Sequence, residues 1–390
     1  MRAGALAAAN QTTYVSRVMS HRPSVPAADA RLEANALRGT ELGTARHAQR
    51  FAANFAADFF RVTPRGLTVS SLGVGTYLGE ATDEDDRAYA DTLAAALAGG
   101  INVIDTAINY RCQRSERAAG SALERAIGAN SVAREGVIVC TKGGYIPLAG
   151  EVPSTREAYQ AYVQREFVAQ DVMLAEEIVA GGHCIAPRFL RYCIAQSRQN
   201  LGVRTIDLYY LHNPEQQLVA VTPSELRGRL RGAFAALEES VERGDIGSYG
   251  CATWNGLRAA PGSRGHLALE DIVAIAREVA GDAHHFAAVQ LPVNLAMPEA
   301  MRTPTQPLAG ATVTALEAAD ALGVTVVASA SLMQGQLTRG LPEAVRDSLP
   351  GVSTDAQRAL RFVRTLPGIT TALFGARSTD HLDEDMASAR

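Results

Sequence analysis

The chain has 390 residues, 47% of them hydrophobic and 20% charged, with a formal net charge of −4. That balance suits a soluble globular protein with a sizeable core. It gives no electrostatic reason to expect nucleic acid or an anionic membrane as partner, and no apolar run is long enough to span a bilayer. Five scattered cysteines, Cys112, Cys140, Cys184, Cys193 and Cys251, form no CxxC pair. An odd, dispersed set argues against a disulfide framework and against a zinc or other metal site, and it favours a reducing, cytoplasmic compartment.

Residues 1–65 read as an N-terminal extension, partly disordered or helical. Residues 1–28 carry Arg2, Arg17 and Arg22 and no acidic residue, a transit-like composition, but the apolar stretch is too short for a secretory signal. The plainer reading is a loosely ordered tail reaching to about residue 42. Phe51, Phe55 and Phe59 then recur at every fourth position, which predicts a helix over 44–60 with three rings on one face.

From residue 66 to 390 short β-branched runs alternate with longer amphipathic stretches. The predicted strands are Val69–Gly75, Asn102–Asp105, Val137–Thr141, Ile206–Leu211, Ser248–Ala252, Ala287–Leu291, Val324–Ala328 and Thr370–Phe374. The predicted helices are Asp83–Ala98, Ser115–Ala126, Pro187–Leu201, Pro223–Arg243, Ala268–Val279, Val313–Leu322 and Thr354–Arg364, with a last one beginning near Thr379. Glycine stops at Gly100, Gly202, Gly244 and Gly323 end four of them. Eight strand–helix repeats imply a parallel sheet closed into a (β/α)8 TIM barrel. One unit is oversized. An insertion over 143–186 follows the third strand, with a helix predicted over Thr155–Ala180. It leaves from the barrel face that carries active sites, and reads either as a lid or as a surface decoration with its own small core.

Four chemically active side chains stand where strands two, three and four end: Asp105 and Tyr110 in INVIDTAINY, Lys142 in VIVCTK, and His212 in IDLYYLH. Adjacent strand ends bring them to one pocket. A buried ammonium and carboxylate must pair. A phenol beside that ammonium is expected to have its pKa lowered toward the working range, which would make it a general acid. The imidazole is placed to hold a carbonyl oxygen.

The segment NVIDTAINY with RSERAAGSAL after it, Lys142 in CTKGGY and His212 in IDLYYLHNP resemble the aldo/keto reductase family. The resemblance implies hydride transfer between a nicotinamide and a carbonyl carbon, with Tyr110 as proton donor, Lys142 lowering its pKa, Asp105 pairing with Lys142 and His212 orienting the carbonyl. It implies NADP(H) as cofactor, with NAD possible. Leu72–Tyr77, including Thr76, is similar to the family's first strand; its glycines are no dinucleotide fingerprint, because Leu78 stands where the third glycine belongs. Gln290 matches the residue that bonds the nicotinamide carboxamide. Ser329, Ser331, Leu332, Gln334 and Gly335 match the loop along the pyrophosphate. Gly375, Arg377, Ser378, His381 and Glu384 match the loop and helix at the adenosine end, where a helix N-terminus and an arginine suit a phosphate. Two positions depart from the family. Ala252 and Thr253 replace a Ser-Asn pair, leaving Thr253 or Asn255 to grip the carboxamide, and Ser378 and Thr379 stand where a lysine is common.

Tyr77, Tyr145 and Trp254 are the candidates for the substrate wall above the tyrosine; Trp254 serves either there or as packing beneath a loop. The predicted activity is reduction of an aldehyde or ketone to an alcohol, or the reverse, and an aromatic wall at Trp254 would favour a flat or apolar substrate surface. The alternative is a nicotinamide-binding regulatory or scaffold subunit with little turnover. A barrel hydrolase is least supported, since no GxSxG elbow is present.

Overall fold

The computed structural model describes residues 37–150 and 152–390. The transit-like stretch and most of the predicted tail lie outside the described residues. Eight parallel strands form a closed barrel: β1 (Leu72–Gly75), β2 (Val103–Asp105), β3 (Ile138–Gly143), β4 (Ile206–His212), β5 (Ile246–Ala252), β6 (Phe286–Pro292), β7 (Thr325–Ser329) and β8 (Thr371–Phe374). Each pairs with its sequence neighbours, and β8 returns to β1. The surrounding helices are α1 (Asp83–Gly99), α2 (Arg114–Gly128), α3 (Pro187–Leu201), α4 (Pro223–Glu242), α5 (Leu269–Ala280), α6 (Ala315–Ala321), α7 (Asp355–Arg364) and α8 (Thr379–Met386).

Local chemistry explains the boundaries. Thr82 caps α1, accepting the Asp85 N–H, and four acidic residues fill the first turn at the positive end of the helix dipole. Gly100 ends that helix at φ 111°, a conformation that a side chain resists. Strand residues are buried on both faces because helices cover the outside and side chains fill the lumen. Val103, Ile138, Cys140, Leu208, Tyr210, Ala288, Val327 and Leu373 form that inner core. Tyr210 fits because residue 250 is glycine: a Cβ there would meet the Tyr210 ring at 3.2 Å and the Ala288 carbonyl oxygen at 2.0 Å.

Four expectations are corrected. The first predicted strand is two elements: Thr68–Ser70 pairs antiparallel with Phe60–Val62, and only Leu72–Gly75 joins the barrel. Val69 and Leu67 of that hairpin pack on the lumen core and plug it from the strands' N-terminal side. The first helix runs Glu41–Phe51, not to residue 60. The phenylalanines still meet, because a turn brings Phe55 to stack on Phe59 at 3.7 Å. In the insertion the regular helix is Arg156–Val163, followed by a π turn at Gln164–Val168 and irregular chain. A hairpin of Gln306–Leu308 and Ala311–Val313, unforeseen in the sequence, precedes α6 and takes its predicted first residue.

Candidate active site

A cavity of about 740 Å³ opens over the C-terminal ends of the strands. Beneath it Lys142 Nζ donates to Asp105 Oδ2 at 2.5 Å and to the Thr106 carbonyl at 2.8 Å. Gln290 Nε2 donates to the other carboxylate oxygen, Oδ1, at 2.7 Å. Asp105, Lys142, His212 and Gln290 stand at or near the ends of four strands, which is why residues far apart in sequence converge. Lys142 lies 5.1 Å from the Tyr110 ring centroid. His212 stands 5.8 Å from the same ring, edge-on. All four predicted catalytic residues are therefore together; Asp105, Tyr110 and His212 line the cavity, and Lys142 sits behind them with its side chain 1% exposed.

The expected fall in the Tyr110 pKa is overturned. Burial pushes its hydroxyl up, and this outweighs the pull of the Lys142 ammonium, whose field the Asp105 carboxylate opposes. Burial also disfavours the Lys142 charge, but Asp105 and Tyr110 more than restore it, so its pKa rises. Burial, then Lys142, press the His212 pKa well down. The resting site thus holds a neutral phenol, an ammonium and a neutral imidazole.

The loop after Tyr110 is unusual. Arg111, Cys112 and Gln113 all have positive φ, 48°, 56° and 68°. Three successive left-handed residues with side chains are costly and persist only where surroundings impose them. Here the buried Arg111 guanidinium pairs with Asp86 and donates to the Glu80 carbonyl at 2.8 Å, while Gln113 donates to Leu148 at 3.1 Å.

Among the predicted cofactor residues, Thr76, Thr253, Gln290, Ser329, Leu332, Gln334, Gly335, Gly375, His381 and Glu384 line the cavity. Ser331, Arg377 and Ser378 are not in its lining. Ser331 Oγ is buried without a partner among the described residues. Arg377 instead pairs with Asp85 at 2.7 Å, and Ser378 caps α8. Gln290 commits one of its two amide N–H donors to Asp105, which leaves the other and its carbonyl oxygen for a carboxamide; Thr253 Oγ1, buried and unpartnered among the described residues, stands beside Ala252.

Tyr77, Tyr145 and Trp254 all line the cavity, and Trp254 is 43% exposed, a wall and not packing under a loop. Among the described residues of the insertion only Tyr145 reaches the lining. The rest packs sideways, with Phe167 against Phe189 and Tyr192 at 6.1 and 5.5 Å, as expected of a decoration with a small core. Sequence reasoning missed Asn109, Asn213, Thr338 and Arg339, which also line the cavity. Arg339 had a signal: it follows the same loop as Gln334 and Gly335.

A sequence model of the aldo/keto reductase family matches residues 71–390. The chain belongs to that family. It is 30% identical over 191 residues to a D-threo-aldose 1-dehydrogenase from a Pseudomonas species, covering 47% of this chain and 50% of that one. It is likewise 30% identical over 186 residues to an NADH-specific methylglyoxal reductase from Escherichia coli strain K12, covering 44% and 49%. The matches thus span about half the length of these curated relatives. Among solved structures, an aldo/keto reductase from Klebsiella pneumoniae in complex with NADP and acetate superposes with a TM-score of 0.55 at 20% identity, covering 85% of this chain and 89% of that one. The holo form of an aldo-keto reductase from Bacillus halodurans gives 0.54 at 20% identity, covering 84% and 90%. These show the fold. No helix among the described residues is long and apolar enough to cross a membrane.

Proposed function

We propose that this aldo/keto reductase interconverts a carbonyl compound and its alcohol, with Tyr110 giving a proton to, or taking one from, the substrate oxygen. The Lys142–Asp105 pair set under the Tyr110 ring carries this reading. Lys142 faces the charge that develops on the phenol when its proton leaves, and Asp105 keeps the ammonium charged and aimed. Neutral His212, edge-on to the Tyr110 ring and in the cavity lining, holds the substrate oxygen beside Tyr110. Gln290 fixes Asp105 in turn.

The polar groups in and beside the cavity lining suit a nicotinamide dinucleotide. Thr253 and Gln290 would hold the carboxamide end, Ser329, Ser331, Gln334, Gly335 and Arg339 the pyrophosphate, and His381 and Glu384 the adenosine. When bound, this cofactor supplies or accepts the hydride. NADP(H) is the first choice from the solved neighbours, and NAD(H) the second, supported by the NADH-specific relative and by the hold of Asp85 on Arg377. Asn109 and Asn213 line the cavity beside Tyr77, Tyr145 and Trp254, which favours a substrate that carries both a polar group and a flat face.

Quenching of Trp254 on adding NADPH or NADH, then loss of reduced-nicotinamide absorbance with a panel of aldehydes, ketones and aldoses, tests this reading. Lys142→Met is expected to lower reduction by about 10²–10⁴-fold while leaving cofactor affinity largely intact. A Lys142→Met enzyme of normal activity removes the role assigned to that residue. Binding without turnover makes the protein a nicotinamide-binding subunit, and absence of binding removes both readings.

A further inference from the structure

We propose that Glu215 and Arg258 clamp the backbone at Trp254 from two sides, making the indole a fixed wall that favours ring-bearing carbonyl substrates. This rests on the reductase reading above and adds its specificity element.

The backbone N–H groups of Trp254, Asn255 and Gly256 all donate to one oxygen of Glu215, at 2.7, 3.1 and 3.4 Å. Glu215 is buried, and its other oxygen has no partner among the described residues. A carboxylate is expensive to bury, and here little but these amides compensates it. Converging amides make an anion-binding concavity. This one is filled by the chain itself. On the opposite side Arg258 Nε and Nη2 both donate to the Trp254 carbonyl at 3.1 Å, and Nη2 reaches Asn255 Oδ1 at 3.3 Å. Glu299 anchors the same guanidinium at 2.6 Å. The Trp254 residue is therefore held at its N–H and at its C=O by charged groups.

Glu215 lies three residues after His212, just past the left-handed turn at Asn213. The turn that follows His212 thus also holds the loop that carries Trp254, which fixes one side of the cavity relative to the other. Trp254, 43% exposed on this pinned backbone, contributes its indole, a flat aromatic face, to the lining that it shares with Tyr77 and Tyr145. Such a face stacks on a ring and gains little from a three-carbon chain.

Trp254 is the sole tryptophan, so it reports on its own clamp. In Glu215→Ala, indole emission should shift to the red and acrylamide should quench it more readily. With NADPH, kcat/KM for benzaldehyde should fall about tenfold, chiefly through KM, while that for methylglyoxal changes less than about twofold. Glu215→Gln keeps an acceptor oxygen and should restore both readouts. Arg258→Ala, which removes a guanidinium whose side chain is 7% exposed, should move them in the same direction if Glu215→Ala folds poorly. Wild-type emission, quenching and benzaldehyde preference in the folded alanine variants would overturn the proposal. If the wild type reduces neither aldehyde, the reductase reading fails, and the emission and quenching of the variants still decide the clamp.

Discussion

At the scale of single residues, the site turns on how Lys142 divides its charge. The ammonium pulls the Tyr110 hydroxyl down, yet it also serves Asp105, and burial of the phenol prevails. Tyr110 therefore stays protonated through the neutral range, as a proton donor should. The sign of the pH dependence follows. Reduction needs the phenolic proton, which is present below the Tyr110 pKa and lost above it. The kcat/KM for reduction should be flat near neutrality and fall only on the alkaline side of the ordinary value of 10.0. Oxidation of the alcohol needs the phenolate and should rise toward the same limb. Lys142→Met deletes the only strong downward pull, so the alkaline limb of its residual activity should move further up. Rate profiles in both directions check this; an alkaline limb that moves toward acid in Lys142→Met contradicts the arrangement.

At the scale of elements, the long insertion acts as a bracket through its returning end. Buried His183 pairs with Tyr145 and Val179 in short bridges. Its Nε2 donates to the His212 carbonyl at 2.7 Å, since a carbonyl can only accept, and its Nδ1 accepts from Gln217 Nε2 at 2.7 Å. The Tyr145 ring sits between the rings of His183 and His212, at 5.0 and 4.9 Å. Burial lowers the His183 pKa from 6.5 to about 4. The folded state keeps it neutral while an unfolded chain would protonate it, so this stability is whole above pH 6.5 and drains as pH falls toward about 4, by about 3 kcal/mol in all. His183→Phe should cost about 2 kcal/mol at pH 7 by stranding its two partners, and the deficit should shrink at pH 4.5. Urea denaturation at both values measures it; a deficit that does not change with pH contradicts the burial of a neutral imidazole. None of this was legible in the sequence, because His183 and Glu215 act on backbone groups of distant loops and leave no periodic trace. The strands and helices of the barrel were legible, since burial on two faces and glycine stops mark them locally. The insertion helix was overextended because Tyr159, Tyr162 and Phe167 suggest one amphipathic face, whereas the chain bulges after Val163 so that Phe167 can reach Phe189.

At the scale of the whole molecule, the barrel separates its tasks between its two ends. Asp105, the carboxylate of the proposed site, is legible from its place at a strand end, but the equally buried Asp207 at the other end is not. Asp207, near the start of β4, accepts from the Arg134 guanidinium and the Val139 N–H through Oδ2, at 2.7 and 2.8 Å, and from the Gly39 N–H through Oδ1. Arg134 and Asp207 are each 3% exposed at the side chain. Arg134 also donates to the carbonyls of Val137 and Thr205 at 2.9 Å, so the pair ties β3, β4 and the chain leading into the first helix into one knot. Removing one partner of such a pair leaves a buried charge without compensation, typically a loss of about 3–5 kcal/mol. Asp207→Ala should therefore lower the denaturation midpoint steeply while leaving kcat per folded molecule near that of the wild type. Lys142→Met should do the reverse in rate, although it too strands a buried carboxylate and will not be silent in stability. Active-site titration of the folded fraction alongside the denaturation curve separates the two effects. A loss of turnover in Asp207→Ala that exceeds its loss of folded protein would mean that the two ends of the barrel are coupled, against the division of labour argued here.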